Sequence, residues 1–371
     1  MSFVDDLAMY TLGYMAHESH PMRLDSYCLN NIQRKTPCYA CSEACPQGIS
    51  IHDKKVKWMG CVNCNLCITA CPTEALHESS ASFESMNALF NSQDDCVIIG
   101  CGAFDGRVDA RVSCLAALPW ELVAALALTK RVVLKVTPCR DCPERDLYDK
   151  VDALFKSLKF FFGKDEFKRR IFPRVPEGAA KSEGYSKRTA MEGAAQIVKG
   201  GADKILSNKT PNVSHYRALL LDALQHIPED ERPLVNWRTL EEDGECRGCE
   251  ICSKLCPHDA IKLRIPGYKD DADDADRFAG AQALELTEDE QAYIHEASRC
   301  TQCGLCYLTC PHQNIGGWAK LTTKQVPAYA KHSIDVHLCE KCGRPFVPEA
   351  DETCCRPCSK RRYAPKARKK A

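Results

Sequence analysis

The chain has 371 residues, of which 26 are cysteine, several times the usual share for an intracellular protein. Lys plus Arg and Asp plus Glu number 50 each, so the formal charge is zero and no global field draws a polyanion toward it. With 44% apolar and 27% charged residues, the composition excludes disordered and collagen-like chains and suits two or three domains, each with a core. The N-terminus, Met1 to Met15, carries Asp5 and Asp6 where a signal peptide has a basic region. The longest apolar stretch, Leu115 to Leu128, is interrupted by Pro119, Trp120 and Glu121, so no membrane span is expected. A cytoplasmic, reducing location is therefore expected, where thiolates serve as metal ligands, catalytic groups or buried bulk.

The cysteines fall into islands. The first reads Cys38-x2-Cys41-x3-Cys45-Pro46, then Cys61-x2-Cys64-x2-Cys67-x3-Cys71-Pro72. Far downstream the pattern returns as Cys246-x2-Cys249-x2-Cys252-x3-Cys256-Pro257 and Cys300-x2-Cys303-x2-Cys306-x3-Cys310-Pro311. Thiolates at three-residue steps wrap a tight loop around one face of a cubane, and the last, before proline, reaches the neighbouring cluster. Zinc sites and disulfide frameworks do not repeat such steps and close them with Cys-Pro. Leu66, Ile68, Ile251, Leu255, Leu305 and Leu308 lie close in sequence and would exclude water from such clusters. The sequence resembles a bacterial-type dicluster ferredoxin domain present twice, and the resemblance implies two [4Fe–4S] clusters in each copy.

The N-terminal copy departs from the pattern, because Lys35 occupies the place of its first ligand. Either one iron corner is open or a more distant thiolate completes the site, and Cys28 is the candidate. The expected ligand sets are Cys28, Cys38, Cys41 and Cys71, and Cys61, Cys64, Cys67 and Cys45. In the C-terminal copy they are Cys246, Cys249, Cys252 and Cys310, and Cys300, Cys303, Cys306 and Cys256. An acidic insert at Asp270, Asp271, Asp273, Asp274 and Asp276 reads as a solvated loop.

Between the two copies lie Cys96, Cys101, Cys114, Cys139 and Cys142. Cys96 to Ile99, Arg111 to Cys114 and Arg131 to Val136 have strand character, while Leu118 to Leu128 and Arg145 to Phe162 are helical by spacing. This predicts a small α/β unit with cysteines at strand ends, where open sheets place their sites. Gly100-x-Gly102-x3-Gly106 imitates a dinucleotide fingerprint, but the following residues look extended instead of opening a helix. A strand ending in Cys-x-Gly, a Cys before the Ala117–Leu128 helix and a strand followed by a Cys pair resemble the delta subunit family of methyl-viologen-reducing hydrogenases. That resemblance implies a [2Fe–2S] cluster on Cys101, Cys114, Cys139 and Cys142; zinc competes for the same thiolates.

Farther on, Ala190 to Leu206 and Val213 to Ile227 read as helices, and Pro228 to Glu245 as a linker. The basic patch Lys164 to Arg174, with the aromatics Phe160, Phe161, Phe162, Phe167 and Phe172, reads as helix packing or as a docking surface for a larger redox subunit. Cys339-x2-Cys342-Gly343 and Cys355-x2-Cys358 form two knuckles of a zinc ribbon, for which a rubredoxin-like iron site is the competitor. The basic tail from Arg356 is expected to be disordered. These assignments use every cysteine except Cys96 and Cys354. His258 and His312 follow Cys-Pro motifs and read as cluster-shell residues, and no catalytic triad or flavin, nicotinamide or nucleotide site is visible.

The expected fold class is α+β multidomain. A dicluster ferredoxin domain spans 1–85, a four-cysteine α/β domain 90–165 and a helical connector 166–239. A second dicluster domain with the acidic insert spans 240–320, and a zinc ribbon with basic tail 335–371. The expected function is that of a polyferredoxin relaying single electrons between redox protein partners, as a subunit or accessory of a larger oxidoreductase such as a hydrogenase or formate dehydrogenase system. The alternative is a redox-sensing regulatory or assembly protein that uses ribbon and tail to bind a client or nucleic acid, although nucleic acid is not the expected partner.

Overall fold

The computed structural model describes residues 20–32, 37–53, 55–77, 89–90, 92–140, 142, 147–173, 215–268, 287, 289–348 and 352–360. The chain divides into two compact units. One is Met1–Trp237 with Thr301–Cys303 and Thr322–Val326, and the other is Arg238–Cys300 with Gly304–Leu321 and Pro327–Ala371. The Ala190–Leu206 helix, the acidic insert and Lys35 fall outside the described residues.

In the first unit the chain opens with β1 (Met22–Arg23), α1 (Leu29–Ile32), α2 (Ala40–Glu43), α3 (Leu66–Ala70) and β2 (Leu76–His77). Strands β1 and β2 pair antiparallel, joining Met22 to His77 and Arg23 to Leu76. Helices α2 and α3 pack on one another. Arg23 fixes the intervening loop, its guanidinium donating to the carbonyls of Ile51 at 2.7 Å and Asp53 at 2.6 Å.

The α/β part follows from its apolar runs. β3 (Cys96–Cys101) is buried along its whole length, as expected of a central parallel strand covered on both faces. It lies between β4 (Ala110–Val112) and β5 (Arg131–Leu134), and β5 continues to β6 (Ile171–Phe172); all three pairings are parallel. Helix α4 (Trp120–Thr129) is apolar on every side, so it must be covered all round, and Leu122 through Leu128 are buried. Helix α6 (His215–Gln225) covers one side with Tyr216, Leu220 and Leu224. Helix α5 (Tyr148–Arg170) breaks at Gly163, whose φ of 73° and ψ of 170° only glycine adopts readily. The Asn236 amide donates to the Phe160 carbonyl at 2.6 Å just before that break.

Segment 166–239, expected as a connector, thus supplies a strand to the sheet and a helix to its cover. The stretch expected as a linker contains β7 (Val235–Glu242), whose Val235, Trp237 and Leu240 are buried. Its few apolar residues are buried where the strand meets the packed surface, in spite of the flanking Pro and charges. Phe161 and Phe162 are buried too, so that aromatic stretch serves helix packing.

One polar interaction lies inside this core. Arg217, 2% exposed, donates to Glu121 at 3.0 Å. Its guanidinium also lies 5.0 Å from the Trp120 ring and 5.3 Å from that of Trp237. Phe161 completes the cluster, edge-on to Trp237 at 5.2 Å.

The second unit holds α7 (Ile251–Leu255), β8 (Ile261–Arg264), β9 (Ala292–Glu296), α8 (Leu305–Thr309), β10 (Ile315–Thr323) and β11 (Tyr329–Ser333). β7 pairs with β10, and β9 lies between β8 and β11 with both pairings antiparallel. Leu240, Ile261, Tyr293 and Ile315 form its core. His295 on β9 is fully buried beside the Thr239 hydroxyl at 2.9 Å, and burial drives its pKa down to about 3, so it is neutral. The ribbon segment contains the short pair β12 (His337–Leu338) and β13 (Pro345–Phe346), followed by α9 (Arg356–Lys360). The start of the tail is therefore a helical turn instead of disordered chain. Among the described residues no helix is long and apolar enough to cross a membrane.

Losing Arg217 would leave the Glu121 carboxylate buried without its cation. Arg217→Ala is expected to cost about 3–5 kcal/mol, read as a lower urea midpoint of the anaerobic holoprotein. Burial already raises the Glu121 pKa, with Arg217 opposing that rise. The folded state thus holds this proton more tightly than the unfolded chain, so the deficit should grow as pH rises above the carboxylate range. Adding Glu121→Gln should recover part of the loss.

Candidate metal centres

A repeated backbone shape presents the ferredoxin-type cysteines. In three of the loops the middle cysteine is flanked by left-handed residues: Asn63 and Asn65 around Cys64, Gly248 and Glu250 around Cys249, Gln302 and Gly304 around Cys303. A short helix starts directly after each pair, at α3, α7 and α8. Alternating handedness turns successive amides inward, forming a concavity suited to an anion such as a thiolate-ligated cluster. A second left-handed residue follows three positions after every Cys-Pro cysteine, at Gly48, Glu74, Asp259 and Gln313. In two of these turns the amide of the next residue donates to the ligand sulfur, Ala75 to Cys71 and Ala260 to Cys256, both at 3.2 Å. The segment around Cys41 lacks the flanking pair, since Ala40 is already helical. It is the half whose pattern is incomplete in sequence.

Cys45, Cys61, Cys64 and Cys67 line one cavity together with Ile49, Ile51 and Trp58. The thiol of Cys67 is pushed up to about 12 by burial and then by Cys64, Cys41, Cys45 and Cys61. Cys41 is raised to about 11 by burial, with Cys71, Cys38 and Cys28 adding to the rise. Cys28 therefore stands within electrostatic reach of Cys41 and also of Cys71. Asn30 explains how. Its amide donates to the Cys38 carbonyl at 2.9 Å and its oxygen accepts from the Cys38 N–H at 2.6 Å, clamping α1 to the ligand loop. Nothing in the cysteine spacing points to Asn30.

In the second unit, burial raises Cys252 to about 12, with Cys246, Cys306 and Cys249 contributing. Cys310 adds to the rise at Cys246. Cys300 lies at the end of the β9 segment, and Cys303 in the loop before α8. Leu66, Ile68 and Leu305 are buried as expected of a water-excluding wall, whereas Leu308 is 50% exposed. His258 is buried and His312 is exposed, so only the first can belong to a cluster shell. Raised thiol pKa values mean that metal loading displaces protons, so assembly is favoured by higher pH.

The central four cysteines also converge. Cys101 ends β3, Cys114 follows β4, and Cys139 and Cys142 follow β5, all at the carboxyl ends of parallel strands. Burial and then Cys101, Cys114 and Cys142 push Cys139 up to about 11. Arg111 holds the β3–β4 loop, donating to the carbonyls of Cys101 (3.1 Å), Phe104 (2.6 Å) and Gly106 (3.1 Å). That loop leads into β4 and no helix opens on its glycines, so the dinucleotide fingerprint is absent. Cys114 also feels Cys64, and α3 packs on the 3-10 turn Leu115–Ala117 that follows Cys114. The N-terminal ligand loop and the central site are thus neighbours within one unit. Cys96 is core, packed with Ile98 and Val133.

The C-terminal set differs in spacing. Among the described residues, Cys339, Cys342, Cys355 and Cys358 have ligand atoms all within 4.8 Å of one another. Four sulfurs at about 2.3 Å from a tetrahedral ion stand ~3.8 Å apart, and Cys342 and Cys355 are 3.7 Å apart. Against its burial, the N–H groups of Cys355, Cys342 and Lys341 pull the Cys339 thiol down to about 6, toward the ligating thiolate. The four residues therefore fit one metal ion.

Residues 245–314 match the family model of the 4Fe-4S dicluster domain, and residues 55–77 that of the 4Fe-4S binding domain. No curated protein and no solved structure matches the chain. The chain thus carries two ferredoxin-type regions that bind [4Fe–4S] clusters, together with a four-cysteine group near its C-terminus that can hold a metal.

If Cys28 completes the first ligand set, Cys28→Ala should turn that site into a labile or three-iron form, seen by electron paramagnetic resonance, with the other cubane signals retained. Asn30→Ala should weaken the same site more mildly; unchanged spectra in both variants would mean that the corner is held otherwise. At the ribbon, Cys358→Ser should cost the chain one metal ion by elemental analysis while the cubane signals stay unchanged.

Proposed function

We propose that this protein is a polyferredoxin, relaying single electrons between redox protein partners in the cytoplasm as a subunit or accessory of a larger oxidoreductase. The observation that carries this reading is the packing of the N-terminal ligand loop against the central four-cysteine site, with Cys64 and Cys114 within electrostatic reach. Four thiolates at sheet ends next to a ferredoxin-type centre suit an electron relay. The central site would hold a [2Fe–2S] cluster on Cys101, Cys114, Cys139 and Cys142, supplying a further one-electron station.

The four cubanes would be held by the sets expected from sequence, including Cys28 and the cross-ties through Cys45, Cys71, Cys256 and Cys310. The protein groups tune these centres. The N–H groups of Ala75 and Ala260 stabilise charge on their ligand sulfurs, and buried Leu66, Ile68 and Leu305 keep water away. At the ribbon a closed zinc site would be structural, since β12 and β13 are too short to fold on their own core. Hydrogenase and formate dehydrogenase systems are the partners that the family resemblance suggests.

The test is metal counting and spectroscopy on anaerobically isolated full-length protein. About sixteen iron should belong to the cubanes and about two more to the central site. Cys139→Ser and Cys142→Ser should each remove the [2Fe–2S] signal and leave the cubane signals in place. Zinc at the central site in the unaltered protein would overturn the relay.

A further inference from the structure

The cavity lined by Cys45, Cys61, Cys64 and Cys67 comes to the surface beside an exposed apolar turn. Residues Trp58 to Cys61 form a tight turn closed by the Cys61 N–H donating to the Trp58 carbonyl at 2.9 Å. Gly60, with φ of 86°, occupies the turn position that requires a left-handed residue. Met59 is thereby held at the tip, 91% exposed, with Val62 beyond it at 59%. A mobile loop could expose a methionine incidentally, but the segment leading into this turn is anchored. Arg23 binds the carbonyls of Ile51 and Asp53, and the Trp58 ring stacks on His20 at 4.7 Å and 5°. Trp58 and Val62 also line the cysteine cavity itself. Lys55 and Lys57, both exposed, stand on the approach to the turn, and the neighbouring acid is Asp53, which faces His52 at 3.5 Å.

We infer that Lys55, Lys57, Met59 and Val62 form the docking surface for an acidic one-electron carrier protein, one whose own cofactor lies at an apolar spot ringed by carboxylates. This rests on the cluster reading of Cys45, Cys61, Cys64 and Cys67. Apolar contact at Met59 and Val62 excludes water where the two centres come closest, while the lysines steer the encounter. The step is a simple exchange: the carrier is oxidised by one electron, the cubane goes from the 2+ to the 1+ state, and no bond is made or broken. The pairing of exposed methionine with a basic approach selects this occupant over a second copy of the chain, whose matching surface would bring lysine against lysine.

The experiment uses the anaerobic holoprotein and two reductants, a reduced acidic two-cubane ferredoxin and the reduced methyl viologen cation, mixed by stopped flow. Lys55→Glu with Lys57→Glu should slow reduction by the ferredoxin about tenfold at low ionic strength and flatten its salt dependence. Met59→Asp should slow the same reaction, and its exposure means the fold is not at risk. Reduction by the methyl viologen cation should not slow in either variant, and the lysine-to-glutamate changes should if anything speed it. Ferredoxin rates unchanged in both variants would overturn the surface while leaving the electron-carrier reading intact. A concentration-dependent dimer abolished by Met59→Asp would overturn it by assigning the turn to a second copy. Failure of methyl viologen to reduce any cubane in the unaltered protein would instead overturn the carrier reading itself.

Discussion

A thiolate-bound cluster needs its ligands from several directions at once, while a chain delivers them in one order. Much of the ferredoxin-type backbone follows from that constraint. Left-handed residues on either side of Cys64, Cys249 and Cys303 reverse the loop about its middle ligand, and the short helices α3, α7 and α8 carry the chain to the Cys-Pro corner. There another left-handed residue turns amides toward sulfur. Asparagine, glutamine, glutamate and aspartate fill most of these positions, although glycine would be less strained. The strain is tolerable because it is shared with amide–sulfur hydrogen bonds and, in the loaded protein, with ligation.

Sulfurs 3.7 Å apart at Cys342 and Cys355 surround a volume that one ion fills. The ferredoxin-type and central groups feel one another electrostatically, as ligands gathered around a cluster must. Before loading, burial raises the thiol pKa of Cys41, Cys67, Cys71, Cys114, Cys139, Cys246, Cys252 and Cys256, which limits the repulsion within these groups. At Cys339 amide donors have the opposite effect, and the thiol moves toward thiolate.

Much of the α/β part was legible from sequence. β3 and β5 are uninterrupted apolar runs, α4 is apolar on all sides, and their boundaries come from the glycines and charges that follow. The cysteines at their carboxyl ends could be located in the same way. What could not be read was the role of residues 166–239. Their polar and Pro-containing character suggested a connector, yet Val235, Trp237 and Leu240 enter the core and α6 covers α4. A short strand with few apolar residues gives little periodic signal, and its burial depends on which surface it meets. The buried Arg217 is a sharper case, because its position between Trp120 and Trp237 and opposite Glu121 joins residues about a hundred apart in the chain.

Sequence alone determined most of the residues that could ligate, since cysteines at three-residue steps before proline suit a cubane, and two Cys-x2-Cys knuckles can close on one ion. It also placed the central cysteines at strand ends. Tertiary structure decided which of these groups are neighbours. It brought Cys28 toward Cys41 and Cys71 with the Asn30–Cys38 clamp, set Cys64 near Cys114 by packing α3 on the turn after β4, and left Met59 projecting from a tight turn. These arrangements are fixed by packing and by hydrogen bonds to specific carbonyls, which the spacing of cysteines along the chain does not encode.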